Sequence, residues 1–531
     1  MTNRLTPILT AVLALAAAAT SAAAGQEVRL PLDARVGSLD PAKLVESHEF
    51  AIAENLFEGL TAIAADGRIV PGVAARWETS ADGRVWTFHL RPDARWSNGE
   101  RVTAEDFVYS LRREVIPSTA SPSAAALEPI EGATEITSGA VGDPCMLGVR
   151  ALDRHVLQIT LRRPTPWLLL LLSHYAALPT PKAAVEAFGD HWAEPGHMVS
   201  NGPYVLADWT ADGDVTLVRN RFFHAAAAVQ VETVRFVRSH GRAGLRQFEA
   251  GEYDVVSLTG PELAEAEARY PRQLIRQSEL ATAYLAINRT RGALGDERIR
   301  RALSMVIDRE ALITEVDQSR HTPAYELVAP AISRIADYRP QSAGWAHEPM
   351  AARIAAAQAL LNEARAGASA PLTVRLAFMD SPRNQRLMAA IAAMWKTALG
   401  VETQLQPADQ QAHMARLTAH DFELAAVTWD PDFADPLNYL GGFRSYSDPA
   451  NFGAYAEPAF NALIDRSRDT ADPAARMRLL EAAERRLIDS EGVIPLRHGD
   501  LMLLVNPRLQ GYVADPLARH PARYLGLESP K

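Results

Sequence analysis

Residues 71–112 limit how this chain can fold more than any other stretch, because turn residues, strand alternation and a helix start follow one another there without a gap. Asp82-Gly83 is a two-residue hairpin signal. After it Val85, Thr87 and His89 alternate with Trp86, Phe88 and Leu90, which makes one face of the next strand aromatic and apolar. Asn98-Gly99 marks a second turn. Thr103, with Asp106 three residues on, has the form of a capping box in which Asp stands for the usual Glu or Gln. The spacing then predicts a helix over 104–113 that buries Phe107, Val108 and Leu111.

The N-terminus reads as an export signal: Arg4, an apolar run from Ile8 to Ala19, then Ser21, Ala22, Ala23, Ala24 and Gly25 in the form of an A-x-A cleavage site. The apolar run is shorter than the roughly 20 residues that span a bilayer, so residues 1–24 are expected to be removed. No Cys stands at the cleavage point, so a periplasmic protein without a lipid anchor is expected. The chain holds one Cys, Cys145, so no internal disulfide can form and packed cores must hold the fold. At 531 residues it exceeds what one core serves, and two or three domains follow. Lys plus Arg number 54 against 64 Asp plus Glu; losing Arg4 with the leader moves the formal charge from -10 to -11. That mild acidity argues against nucleic acid or an anionic membrane as the main partner.

Past the leader, 28–32 reads as a strand, and Leu39-Asp40-Pro41 turns the chain into a helical segment that runs to Leu56-Phe57-Glu58-Gly59-Leu60. From 61 to about 178 the chain is strand-rich with helical insertions and ends in an apolar helix over 166–175, whose Trp167 to Leu172 read as buried. Ser200-Asn201-Gly202-Pro203-Tyr204 is a turn leading into a strand over 215–219, and 231–237 alternates as another. Beyond Leu280, strands over 284–288, 372–378, 401–406 and 422–428 alternate with helices, which indicates an α/β lobe.

These words in this order (LDP, LFEGL, the 71–112 block, NGPY, Gly251-Glu252-Tyr253-Asp254, Gly511-Tyr512, Asp515-Pro516-Leu517) resemble the bacterial extracellular solute-binding proteins, family 5, of the oligopeptide type, over about residues 28–527. The resemblance implies an α/β, two-lobed periplasmic binding protein fold (type II, cluster C) with an additional inserted domain. The implied division is 25–57 with 179–280 and 501–531 as lobe I, 58–178 as the insert, and 281–500 as the facing lobe. It implies a periplasmic substrate-binding protein that captures oligopeptides in an interlobe cleft. Its partners would be a small peptide ligand and an inner-membrane ABC permease with its ATPase; a monomer is expected, without cofactor or metal.

Residues just past a strand's carboxyl end in an α/β lobe face the ligand crevice, which directs attention to Trp429-Asp430-Pro431-Asp432-Phe433-Ala434-Asp435-Pro436. Aspartates beside prolines also serve simply to cap turns. The resemblance places on Asp432 the ion pair with a peptide's α-ammonium, on Trp429 a side-chain pocket, and on Val45, Glu46, Ser47 and His48 a strand-like stretch pairing with the ligand backbone; His48 otherwise reads as a surface residue. Asp435 is expected to be structural. The chain departs from the family pattern at Ala426, Asn384, Gln410 and Gly499, where an Arg, a His, an aromatic and a Tyr are usual. The two positions of the family's disulfide fall near Ala281 and Asp430. Asn384, Gln410 and Arg416 are therefore candidates for an altered pocket, with Arg383 and Arg386 as further cations that also suit a solvated helix face. The histidines have no metal spacing and no GxSxG occurs, so no catalytic residue is expected. A murein peptide, an opine or a metal chelate is the alternative ligand class. A peptide-sensing receptor without transport is the alternative role.

Overall fold

In the computed structural model, which describes residues 26–32, 34–239, 243–366, 370–431, 433–444, 451–517 and 519–528, three sheets organise the chain. The expected leader and Asp432 lie outside the described residues. The first sheet orders Glu27–Leu32, Thr233–Arg238, Val215–Arg219 and Tyr204–Trp209. Its first pair is parallel and the others antiparallel.

The hairpin of the 71–112 block lies in a second, antiparallel sheet ordered Ala74–Thr79, Val85–Leu90, Val156–Thr160, Val149–Asp153. Its turn is longer than the two residues expected. The last closing bond is Ser80 N–H to Val85 C=O, with four residues between them. Only Gly83 has positive φ, at 70°, whereas a type I′ turn needs two such residues. Asp82 instead accepts the Ser80 hydroxyl at 2.5 Å and the Arg84 N–H at 3.1 Å, building a wider Asx turn. The capping box is as expected: Asp106 takes the Thr103 N–H at 2.7 Å and its hydroxyl at 2.8 Å, and the helix Ala104–Val115 buries Phe107, Val108 and Leu111. The apolar helix is cut to Leu168–Leu171, because the Ser173 and His174 N–H groups bond three residues back and close its last turn. Trp167, Leu168, Leu171 and Leu172 are buried, as read.

The third sheet has seven strands. Thr373–Met379 pairs in parallel with Glu402–Ala408 on one side and Leu424–Trp429 on the other, through the crossover helices Pro382–Leu399 and Gln410–Thr418. All three carboxyl ends therefore share one edge. Leu424–Trp429 pairs antiparallel with the 14-residue strand Leu274–Ile287, and that with the 13-residue strand Val493–Val505. Hydrophobic cores pack on both faces of this sheet, and a larger one joins the first two sheets.

Candidate ligand-binding site

The two long strands lose register where Ser278 faces Asp500 and Thr282 faces His498. Three residues on one side oppose Gly499 on the other, so Glu279, Leu280 and Ala281 bulge out of the ladder. A Cβ at Gly499 would stand 2.8 Å from Glu279 Oε2 and 3.0 Å from the Ala281 Cβ. Glycine is what makes room for the bulge. The bulged residues wall a cavity of about 680 Å³, within the usual size of small-molecule sites, roughly 300–1,000 Å³. Asp430 and Pro431, just past the strand Leu424–Trp429, line it beside them.

The facing wall starts from the helix Ser47–Leu56, which contributes Ser47, His48, Phe50, Ala51 and Glu54. Here the expected strand-like stretch is corrected. Ser47 and His48 are helical and Glu46 is the N-cap, because the Glu49 carboxylate gathers four N–H groups: Gly37 at 2.6 Å, Ser38 at 3.2 Å, Val45 at 2.9 Å and Glu46 at 3.1 Å. The Val45 and Glu46 donors are thus already used, and neither residue lines the cavity, whereas Ser47 and His48 do.

Two sequence words lock this wall. Asn201 accepts from the Glu58 N–H at 3.1 Å and donates to its carbonyl at 2.8 Å, and Gly202 N–H bonds Leu56 C=O at 2.8 Å. The C-terminal segment docks against them: Asn55 accepts the Ala522 N–H at 2.8 Å, and Arg523 bonds Glu58 at 2.8 Å. Glu58 also meets His224 Nε2 at 2.7 Å.

The lining is rich in carboxylates: Glu54, Glu58, Glu279 and Asp430. Burial pushes Glu54 up to about 7, against the pull of Arg519. Glu279 is pushed up to about 7 by burial and then by the charges of Asp430 and Asp500. His174, 2% exposed, is held far below its ordinary value by burial and by Arg519, and so is neutral. Among the described residues no cluster of His, Cys, Asp and Glu is arranged to hold a metal ion.

The other expected residues lie elsewhere. Trp429 is packed with Tyr284, Leu327, Tyr439 and Phe443 around a much smaller apolar pocket. Asn384 and Gln410 sit in the first turns of their helices at the shared carboxyl edge; Asn384 bonds the Met379 carbonyl at 2.8 Å and Gln410 is exposed. Arg416 reaches the Gln406 carbonyl at 3.3 Å. None of these four lines the main cavity. Arg383, its side chain 42% exposed, is also paired, bonding Asp317 twice at 2.5 Å. Asp435 is structural, capping the helix Pro436–Leu440 and pairing with buried Arg476 at 2.6 and 2.8 Å. Sequence reasoning missed Glu279, Glu54, His174, Arg519 and Arg523; of these only Glu279 had a signal, in the unusual Gly499.

The pattern of the bacterial extracellular solute-binding proteins, family 5 (middle) matches residues 68–451. The periplasmic oligopeptide-binding protein OppA of Escherichia coli (strain K12) is 34% identical over 490 residues, 91% of this chain and 89% of that protein. The periplasmic murein peptide-binding protein MppA of the same organism is 33% identical over 90% of this chain and 88% of its own length. Among solved structures, the unliganded open form of the MppA murein tripeptide-binding protein superposes with a TM-score of 0.82 at 32% identity, covering 95% of this chain and 98% of that one. OppA of Burkholderia pseudomallei superposes at 0.80 with 30% identity, covering 96% and 100%. With a cavity held between a strand bulge and a facing helix, a family pattern over most of its length and relatives matched nearly end to end, this chain belongs to the bacterial extracellular solute-binding protein family 5.

Proposed function

We propose that the protein is the substrate-binding component of an ABC importer, taking up oligopeptides in the cavity between its lobes and delivering them to a membrane permease and its ATPase. The observation that carries this is the carboxylate-lined cavity of about 680 Å³, a setting in which a ligand ammonium exchanges water for charged partners. The relatives named for oligopeptide binding support the ligand class. Asp432 is the proposed anchor of the α-ammonium. The lobes divide as 25–57 with 179–280 and 501–531, an insert at 58–178, and 281–500. Both crossings between lobes then fall at the bulge, where bending disturbs the fewest ladder bonds. Export by a cleaved leader, a periplasmic location and a monomeric state complete the reading.

Native mass spectrometry of protein purified from its own periplasm, followed by sequencing of what denaturation releases, tests it. A ladder of short peptides is the expected result; a single non-peptide species overturns it. Asp432→Ala is expected to weaken peptide binding by tens of fold, and unchanged affinity removes Asp432 from the site. A murein-derived peptide is the second reading, favoured by the superposition on the murein tripeptide-binding protein.

A further inference from the structure

Trp167 lies in the stretch 58–178, the proposed insert, yet its side chain belongs to a core of the seven-stranded sheet, with Tyr284, Leu437 and Leu440 of the proposed facing lobe. Its neighbours Leu168, Leu171 and Leu172 stay in the core of the first two sheets. The word Pro164-Thr165-Pro166 stiffens the chain just before this border, since each proline fixes its own φ. The Trp167 ring is 7% exposed and lies 4.5 Å from the guanidinium carbon of Arg476, on the helix Pro473–Asp489. Asp435 holds two nitrogens of that guanidinium at 2.6 and 2.8 Å, and its Nε has no acceptor among the described residues. A guanidinium this far from water gains most from an aromatic face.

Two further contacts join the same stretches. Gly67, in the turn between Thr61–Ile63 and Ile69–Pro71, faces Ile335: a Cβ there would stand 3.5 Å from the Ile335 Cδ1. Arg163 and Glu128 pair at 2.8 Å, and the first repels while the second attracts Arg468 on the helix Pro458–Asp469. None of these residues belongs to the two long strands that cross between the proposed lobes, so turning one lobe on the other disturbs all three contacts. The first two also lead along the chain to the cavity wall. Trp167 precedes Ser173, His174 and Tyr175, Gly67 follows Thr61, Ala62 and Ile63, and Asp435 follows Asp430 and Pro431, all of which line the cavity apart from the three residues named first. The Thr61 hydroxyl ties two of these paths together by donating to the Leu169 carbonyl at 2.6 Å.

We infer that the insert is a latch: Trp167 on Arg476, backed by Gly67 on Ile335, bridges the lobes outside the ligand cavity and holds them together around its contents. This rests on the lobe division and the peptide reading above and goes beyond both, because it gives the insert a task and assigns part of the affinity to residues that touch no ligand. Trp167, Arg476 and Ile335 do not line the cavity. A contact that only shifts the balance between open and closed forms scales the affinity for every ligand by the same factor.

The test is titration calorimetry of the purified full-length protein with Ala-Ala-Ala and Ala-Tyr-Ala, joined to small-angle scattering of the same samples without peptide. Trp167→Leu should weaken both tripeptides by the same factor, about tenfold or more, and should enlarge the radius of gyration. Trp167→Phe, which keeps an aromatic face on Arg476, should recover most of the loss. Ile335→Ala should weaken both by about threefold and serves if Trp167→Leu does not fold. Unchanged affinity overturns the inference and leaves the peptide reading standing. Tighter binding overturns it too, since the contact would then hold the lobes apart. A loss confined to one tripeptide does the same, by making Trp167 part of the cavity's shape. If neither tripeptide binds the wild type at 1 mM, the peptide reading falls by itself and scattering decides the latch: an unchanged radius in Trp167→Leu and Ile335→Ala overturns it.

Discussion

Glu49 and Glu279 are carboxylates opposite in their surroundings. Burial works to raise the pKa of Glu49, yet the N–H groups of Val45, Glu46, Gly37 and Ser38 prevail and hold it below the usual carboxylate range. Its contribution is therefore present above the unfolded carboxylate pKa of about 4.3 and lost as pH falls through the folded value. Glu49→Gln should lower stability to urea by about 2 kcal/mol at pH 7 and by much less at pH 3. Glu279 runs the other way. With a folded pKa near 7, its contribution is present below about 4.3 and lost as pH rises through 7. Glu279→Gln should raise the apo melting temperature by a few degrees at pH 8 and barely change it at pH 4.5; a fall at pH 8 would contradict a carboxylate whose burial outweighs the attraction of Arg497. Asp435→Ala, which strands buried Arg476, should cost about 3–5 kcal/mol, read by denaturant unfolding. The structural role of Asp435 was legible from Pro436 beside it. Its Arg476 partner was not, because nothing local ties a turn to a helix so far along the chain.

Elements were legible where their signal is local. The alternation of 85–90 and the Thr103–Asp106 cap need only neighbours in sequence, and both are as read. The bulge was not, since it exists only through the pairing of two strands more than two hundred residues apart, and neither Leu274–Ile287 nor Val493–Val505 carries a mark of it except Gly499. The 45–48 stretch misled for a related reason: its extended look ends where Glu49, one helical turn in, gathers the donors of two loops. Gly202 shows how two distant words become one element. A Cβ there would lie 2.5 Å from the Leu56 carbonyl carbon and 2.6 Å from the Phe57 nitrogen, and backbone facing backbone cannot yield. Gly202→Ala should lower the urea midpoint by the equivalent of about 2 kcal/mol or more with an unchanged m-value.

At the scale of the whole molecule, the proposed lobe division joins the lobes through two continuous strands beside the cavity, and closure about them is the response to a ligand that this division predicts. Small-angle scattering should show a smaller radius of gyration with saturating peptide. Ligand at a hundred times its Kd should add about 2.7 kcal/mol of stability. With Cys145 the single cysteine, and exposed, reductant should leave the melting curve unmoved. Fold class was legible here because many ordered words span the chain; the cavity's true lining was not, because it gathers a helix near residue 50, a bulge near 280, a strand end near 430 and the last segment near 520. That bulge has an evolutionary consequence. Since Glu279, Leu280 and Ala281 stand outside the ladder, mutations there can drift under selection for new cargo while the sheet that carries them is inherited unchanged, so descendants of this gene can diverge in diet without first having to survive a loss of fold.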